Sequence, residues 1–324
     1  MSQSSIQQRV APTAPPAAAA GAPHGGSLIP VAGLLIAATS WGVIWYPYRF
    51  LETAGLPVPI ATFFSYVAAI IFATVAFRHA WQEFIKYPVA LLFIGLTAGI
   101  ANVAYLVAIM EAEVVRVVLL FYLAPLWTVP LARIVLSERI NFRGALTVTI
   151  AMTGAVVMLW RPELGMPLPR SVYEWLGMLG GFFFALCNVL VRRENRASPQ
   201  AKSFAGAIGV AVVALPVALL LVAQPAASWV PILGQWWWLL AIVGVVLIAS
   251  SVCMQYGLSQ MSANRAAVIL LFELIIAAIA AHYFAGEVSR AQEWVGGCML
   301  GAAGLLAAIG DGKDESGKVV STHG

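Results

Sequence analysis

The sequence predicts an all-α membrane protein with ten transmembrane helices arranged as two inverted five-helix repeats. Three observations predict it. Of 324 residues, 61% are hydrophobic and 10% charged, with a mean hydropathy of +0.88, whereas charged residues make up about a quarter of soluble domains. The chain divides at charges, prolines and glycines into ten apolar stretches, each near the roughly 20 residues that cross a bilayer as a helix. The pattern LLF-x-L also occurs twice, in VVLLFYLAPLW (Val117 to Trp127) and in VILLFELIIAAIAA (Val268 to Ala281).

The ten stretches lie near 28–50, 57–77, 88–110, 114–136, 142–160, 173–191, 203–223, 236–260, 266–285 and 292–310. Residues 1–27 contain the Pro/Ala-rich run VAPTAPPAAAAGAPHGG, and residues 311–324 read DGKDESGKVVSTHG. Neither segment has apolar side chains of useful size to bury, so both read as disordered tails. The first also lacks the basic start and leucine-type apolar run of a signal peptide. Residues 161–172 read as a loop joining a first half, 28–160, to a second, 173–310. Counted on alternate sides of these spans, thirteen of the 18 Lys and Arg residues share one side and five the other. The positive-inside tendency then makes both tails cytoplasmic. The net charge of +4 thus reports topology, and no nucleic-acid partner is expected. Aromatic residues near span ends, including the run Trp236, Trp237 and Trp238, fit interfacial belts. Cys187, Cys253 and Cys298 all fall in apolar runs without metal-ligand or disulfide spacing and read as packing residues.

The two halves align. At a shift of 151 residues Tyr105 meets Tyr256, Met110 meets Met261, Leu119-Leu120-Phe121 meets Leu270-Leu271-Phe272, and Tyr122 meets Glu273. A shift near 143 sets Trp41-Gly42 against Phe184-Ala185 and Arg49 against Arg192. Each half has an odd number of spans, so the second copy enters the membrane from the opposite side. Such inverted repeats place binding sites near the midplane, between the copies.

Ten spans in two halves, Trp41-Gly42 in the first span, and Glu138 and Glu287 after the fourth span of each half resemble the drug/metabolite transporter superfamily, EamA-type branch, over residues 28–310. FYLAPLW in span 4 is similar to the Tyr-Leu-x-Pro segment of the YddG-type aromatic amino acid exporters. The resemblance implies a basket of two inverted halves around a central cavity, lined chiefly by spans 1, 3, 4, 6, 8 and 9, with spans 5 and 10 behind. It also implies an exporter in the cytoplasmic (inner) membrane of a bacterium, and a monomer is expected. The pairs Gly95/Gly99, Gly177/Gly181 and Gly297/Gly301 have the small-residue spacing that lets helices pack closely.

Polar residues within spans are costly unless partnered or facing water. Asn102, Tyr105, Tyr122, Asn188, Gln255, Tyr256 and Glu273 all fall in spans that the resemblance assigns to the cavity. Hydrogen bonding between helices is the alternative for each amide. Trp41 and Trp45, four residues apart on one helical face, offer rings to a substrate. Pro47, Pro125 and Pro130 remove backbone donors from spans 1 and 4 and are candidate hinges.

No enzyme or cofactor is expected, because both aspartates, Asp311 and Asp314, lie in the tail and no catalytic or phosphate-cradling motif is present. Phosphorylated solutes need buried Lys or Arg, and Arg116 and Arg133 sit near opposite ends of span 4. A zwitterion or a cation remains. An amino acid with a large or aromatic side chain suits one carboxylate, neutral donors and rings, while an organic cation suits the carboxylate and rings through cation–π contact.

Overall fold

The computed structural model describes residues 28–112, 114–138, 140–160, 168–285 and 291–309. The two predicted tails, Glu287 and most of the 161–172 loop lie outside them. Backbone polar groups in hydrocarbon find partners only within the chain, which makes apolar stretches helical. The described residues form fourteen helices and no strand.

The first crossing is split into α1 (Ile29–Val43) and α2 (Trp45–Thr53). Next come α3 (Val58–Ala76), a short α4 (Ala80–Lys86) and α5 (Pro88–Glu111). The fourth crossing is split into α6 (Val114–Phe121) and α7 (Ala124–Leu136), and α8 (Phe142–Leu159) follows. The second half contains α9 (Val172–Arg193), α10 (Pro199–Leu221), α11 (Ala226–Gln260), the split pair α12 (Ala263–Leu270) and α13 (Phe272–Ala285), and α14 (Ala291–Ile309). Nine of these segments are long and apolar enough to cross a membrane, which makes this a multi-pass membrane protein. The tenth predicted stretch is the helix α14 but is not among the nine.

Local chemistry fixes several helix starts. Asn141 caps α8 by accepting from the Gly144 amide at 2.7 Å, and Ser171 caps α9 by accepting from the Glu174 amide. Ser198 caps α10, and Pro199 then occupies its first turn, where a missing N–H costs nothing. This start lies before the predicted 203 and brings Lys202, which is buried, inside the first turns of the helix. The helix α11 likewise begins before the predicted 236, with its bend at Trp236.

The interruptions follow from proline chemistry in two cases out of three. A proline removes the hydrogen bond to the carbonyl four residues earlier and crowds it. Pro47 acts on Val43, where α1 ends, and Pro125 acts on Phe121, where α6 ends. Pro130 lies inside α7 without interrupting it. The third interruption, at Leu271, has no proline. There the Leu271 amide bonds to Val268 O and the Leu274 amide to Leu271 O, tightening the turn to a three-residue spacing.

Glycines set the close crossings. Gly95 and Gly99 of α5 face Ala205 and Gly209 of α10 backbone to backbone, and Gly177 and Gly181 of α9 lie on Val117 and Phe121 of α6. The third predicted pair behaves differently. Gly301 has nothing near it and Gly297 only the tip of Ile275, whereas Gly296 meets Gly154 of α8. The face of α14 that packs is therefore one residue away from the expected one. Gly209→Leu is expected to destabilise the protein by about 3 kcal/mol, the upper part of the overpacking range, and Gly301→Leu to leave it unchanged. Thermal unfolding of the two variants in detergent checks the contrast.

Candidate functional site

The helices enclose a cavity of about 160 Å³. It is lined by α1, α3, α5, the α6–α7 break, α9, α10, α11 and the α12–α13 break, while α8 and α14 contribute no lining residue and pack on each other. The set implied by resemblance thus gains α3, through Tyr66 and Ala69, and α10, through residues such as Ser203 and Val210.

Seven of the nine predicted contact residues line this cavity: Trp41, Asn102, Tyr105, Tyr122, Asn188, Gln255 and Glu273. Trp45 and Tyr256 do not. Trp45 stacks edge-on with Tyr46, and Tyr256 is exposed on another face of α11. Among the hinge candidates Pro125 lines the cavity, but Pro47 and Pro130 do not. Asn102 donates from Nδ2 to the Tyr66 hydroxyl at 3.3 Å, so its amide joins α5 to α3.

Glu273 is the second residue of α13, just past the break at Leu271, and is half-buried. It makes no ion pair with a described basic residue. Its carboxyl stands close enough to the Tyr122 phenol to interact with it, with Tyr105 next in electrostatic range. Gly42 of α1 lies against the Glu273 carbonyl and Ile276. A side chain at Gly42 would push α13, and with it the carboxylate, away. Next to the acid is a ring cluster that sequence reasoning missed. Phe121 lies 4.5 Å from Tyr105 and 5.4 Å from Phe184, centroid to centroid. Both phenylalanines belong to apolar runs, and only Phe184's alignment with Trp41 marked it.

Ion pairs flank the cavity. At the far end, where α6 and α9 begin, Arg116 Nε donates to Glu174 Oε1 at 2.7 Å and Nη2 to Oε2 at 3.0 Å, with both side chains under 10% exposed. Arg116 Nη2 also donates to Leu168 O, and Glu174 Oε2 accepts from the Arg170 amide. At the near end, where α1 begins, Glu138 pairs with Arg192 at 3.4 Å and accepts from the Ala263 amide, and Arg192 also donates to Ser259 O. In the turn between α9 and α10, Arg196 holds the Glu194 carboxyl below the usual carboxylate range by hydrogen bonding to it. Among the described residues no group of three His, Cys, Asp or Glu side chains offers a metal site.

Helices that cross a membrane and converge on an internal cavity, apolar and aromatic with a few inward-facing polar groups, define a carrier of small solutes. The comparisons agree: the model of the EamA-like transporter family matches residues 28–160 and 172–309. The chain belongs to the EamA-like transporter family. It is similar to an uncharacterised transporter of Archaeoglobus fulgidus, 25% identical over 206 residues, which covers 63% of this chain and 70% of that protein. A solved crystal structure superposes with a TM-score of 0.64 at 16% identity, over 90% of this chain and 99% of that one, and shows the shared fold.

Removing one partner of a buried ion pair leaves the other uncompensated, at a cost of about 3 to 5 kcal/mol. Glu174→Ala is expected to destabilise the protein by that amount, and the double variant Arg116→Met with Glu174→Leu to recover most of it. Unfolding midpoints of the three proteins check this.

Proposed function

We propose that this transporter exports neutral amino acids with large or aromatic side chains, by alternating access between two inverted five-helix halves. The observation that carries the proposal is Glu273, a cavity-lining acid without a basic partner among the described residues, beside rings supplied by Tyr105, Phe121, Tyr122 and Phe184. A charged acid at a helix centre costs roughly 3 kcal/mol on insertion scales. A substrate ammonium offsets that cost when it binds.

The packing supports the two-half arrangement. α9 packs on α5 as α1 packs on α11, α10 on α5 as α3 on α11, and α7 on α9 as α13 on α1. Exchanging each helix of the first half for its counterpart in the second turns one contact of each pair into the other, with α14 as the tenth span. The interruptions in α6–α7 and α12–α13 flank Tyr122 and Glu273, the repeat mates, and serve as hinges together with the one at Ile44. Basic residues of the near end, including Arg78, Lys86, Arg143, Arg193 and Arg265, make that end cytoplasmic. Export from the bacterial cytoplasm follows the similarity of FYLAPLW to the aromatic amino acid exporters.

Phenylalanine and tryptophan are expected to move through the purified protein in liposomes with millimolar affinity, about 4 kcal/mol of binding free energy. Glu273→Gln keeps the shape and hydrogen bonding but not the charge; it is expected to insert normally and lose most transport, with Glu273→Asp retaining part. Full flux in the Gln variant across the neutral pH range shows the carboxylate to be structural. Strong competition by quaternary amines with none by amino acids makes the protein an organic-cation exporter instead.

A further inference from the structure

The near-end floor of the cavity holds polar groups that the fold leaves without partners. Asn188 of α9, Ser203 of α10 and Gln255 of α11 all line the cavity and are 4%, 1% and 3% exposed. The Asn188 Oδ1, Ser203 Oγ and Gln255 Oε1 atoms are buried without a hydrogen-bond partner. The Asn188 Nδ2 and Gln255 Nε2 groups donate to no described residue either, so each carboxamide, turned about its last bond, can present its NH2 to an acceptor, and the Ser203 hydroxyl can donate beside them. Buried polar groups are costly when unsatisfied, and three from three helices at one depth make a built site. Each stands within about two turns of the near end of its helix, while Glu273 lies about three turns in.

Beneath this floor lies a buried lysine. Lys202, 1% exposed, donates from Nζ to Val191 O and Ser259 Oγ, both at 3.1 Å, and makes no ion pair among the described residues. Ser259 in turn donates to the Gln255 carbonyl. The carboxylates within electrostatic reach of Lys202 are engaged elsewhere, Glu194 with Arg196 and Glu83 with the Ser198 amide. Arg192 is paired with Glu138. A buried ammonium with no carboxylate in direct contact favours an anion nearby.

We propose that Asn188, Ser203 and Gln255, backed by the Lys202 ammonium, form a subsite for the carboxylate of the transported solute. This rests on the reading of Glu273 as the ammonium site and divides the recognition of a zwitterion between two levels of one cavity. The carboxylate takes hydrogen bonds from the two carboxamides and the serine hydroxyl at the floor. The ammonium meets Glu273 above it, and the side chain reaches the rings of Tyr105, Phe121 and Phe184. No arginine is required, because neutral donors over a cationic background supply the charge-assisted hydrogen bonds that a carboxylate needs.

The test compares two probes that share a ring and an ammonium, phenylalanine and phenethylamine, the second without a carboxylate. Binding of each is measured by titration calorimetry on the full-length protein in detergent. The wild type is expected to bind phenylalanine about tenfold or more tightly than phenethylamine, as hydrogen bonds to a charged group warrant. Asn188→Leu and Gln255→Leu are expected to lose this preference by weakening phenylalanine alone. Gln255→Glu, which keeps size and adds a negative charge at the floor, is expected to reverse it. Glu273→Gln is expected to weaken both probes alike. Equal binding of the two probes by the wild type overturns the subsite and leaves the ammonium reading standing. Floor variants that weaken both probes equally also overturn it, because that is the mark of a structural role. If the wild type binds neither probe, the amino acid reading falls and the subsite falls with it.

Discussion

The constraint on which this structure depends is the need of every backbone amide and carbonyl in hydrocarbon for a partner inside the protein. It makes the apolar stretches helical, and it also restricts where a helix can stop. The interruptions at residues 122–123 and at Leu271 lie against the cavity, where open space replaces lipid. The one at Ile44 follows closely after Trp41, which also lines it. Each frees carbonyls that a continuous helix would use, and each does so beside a polar or aromatic side chain. The broken backbone of the fourth and ninth crossings therefore forms part of the cavity wall.

Glycine contacts bring those sites together. Gly42 against the Glu273 backbone and Gly181 against the Phe121 backbone hold the first helix of each half on the broken helix of the other. Neither contact leaves room for a side chain, so the depth of the Glu273 carboxylate is set by two backbones and not by flexible packing. The cavity wall is thus rigid where the charge sits and interrupted immediately next to it.

Much of this was legible in the sequence. Glu273 stood out as a charge in an apolar run, and the repeat pointed to Tyr122 as its mate. Other residues were obscured for definable reasons. Hydropathy places charged residues outside a span, so the predicted span 203–223 stops short of Lys202, although Ser198 starts the helix before it and neighbouring helices bury it. Helical spacing puts Trp45 on the face of Trp41, but the interruption at Ile44 lies between them. Tyr256 follows Gln255 directly and so points about 100° away from it on a helix of 3.6 residues per turn. The glycine-rich run of α14 has several small faces, and only the position of α8 selects Gly296. A break without proline, as at Leu271, has no mark in composition.

The helix α11 is longer than a bilayer requires. Its 35 residues extend about 52 Å if straight, against a hydrocarbon core of about 30 Å. The bend at Trp236 divides off the first third, whose Trp229, Ile232 and Leu233 pack against the far ends of the first two crossings around Leu51, Leu56 and Ile60. Trp237 and Trp238 project outward at the same level, at the depth where indole rings prefer the headgroup boundary. The segment before the bend thus caps the far ends of these two crossings, and the remainder of α11 runs from there down the cavity wall. The segment that covers the far ends of the first two crossings therefore continues, across one bend, into the wall that carries Gln255 at the opposite end of the cavity.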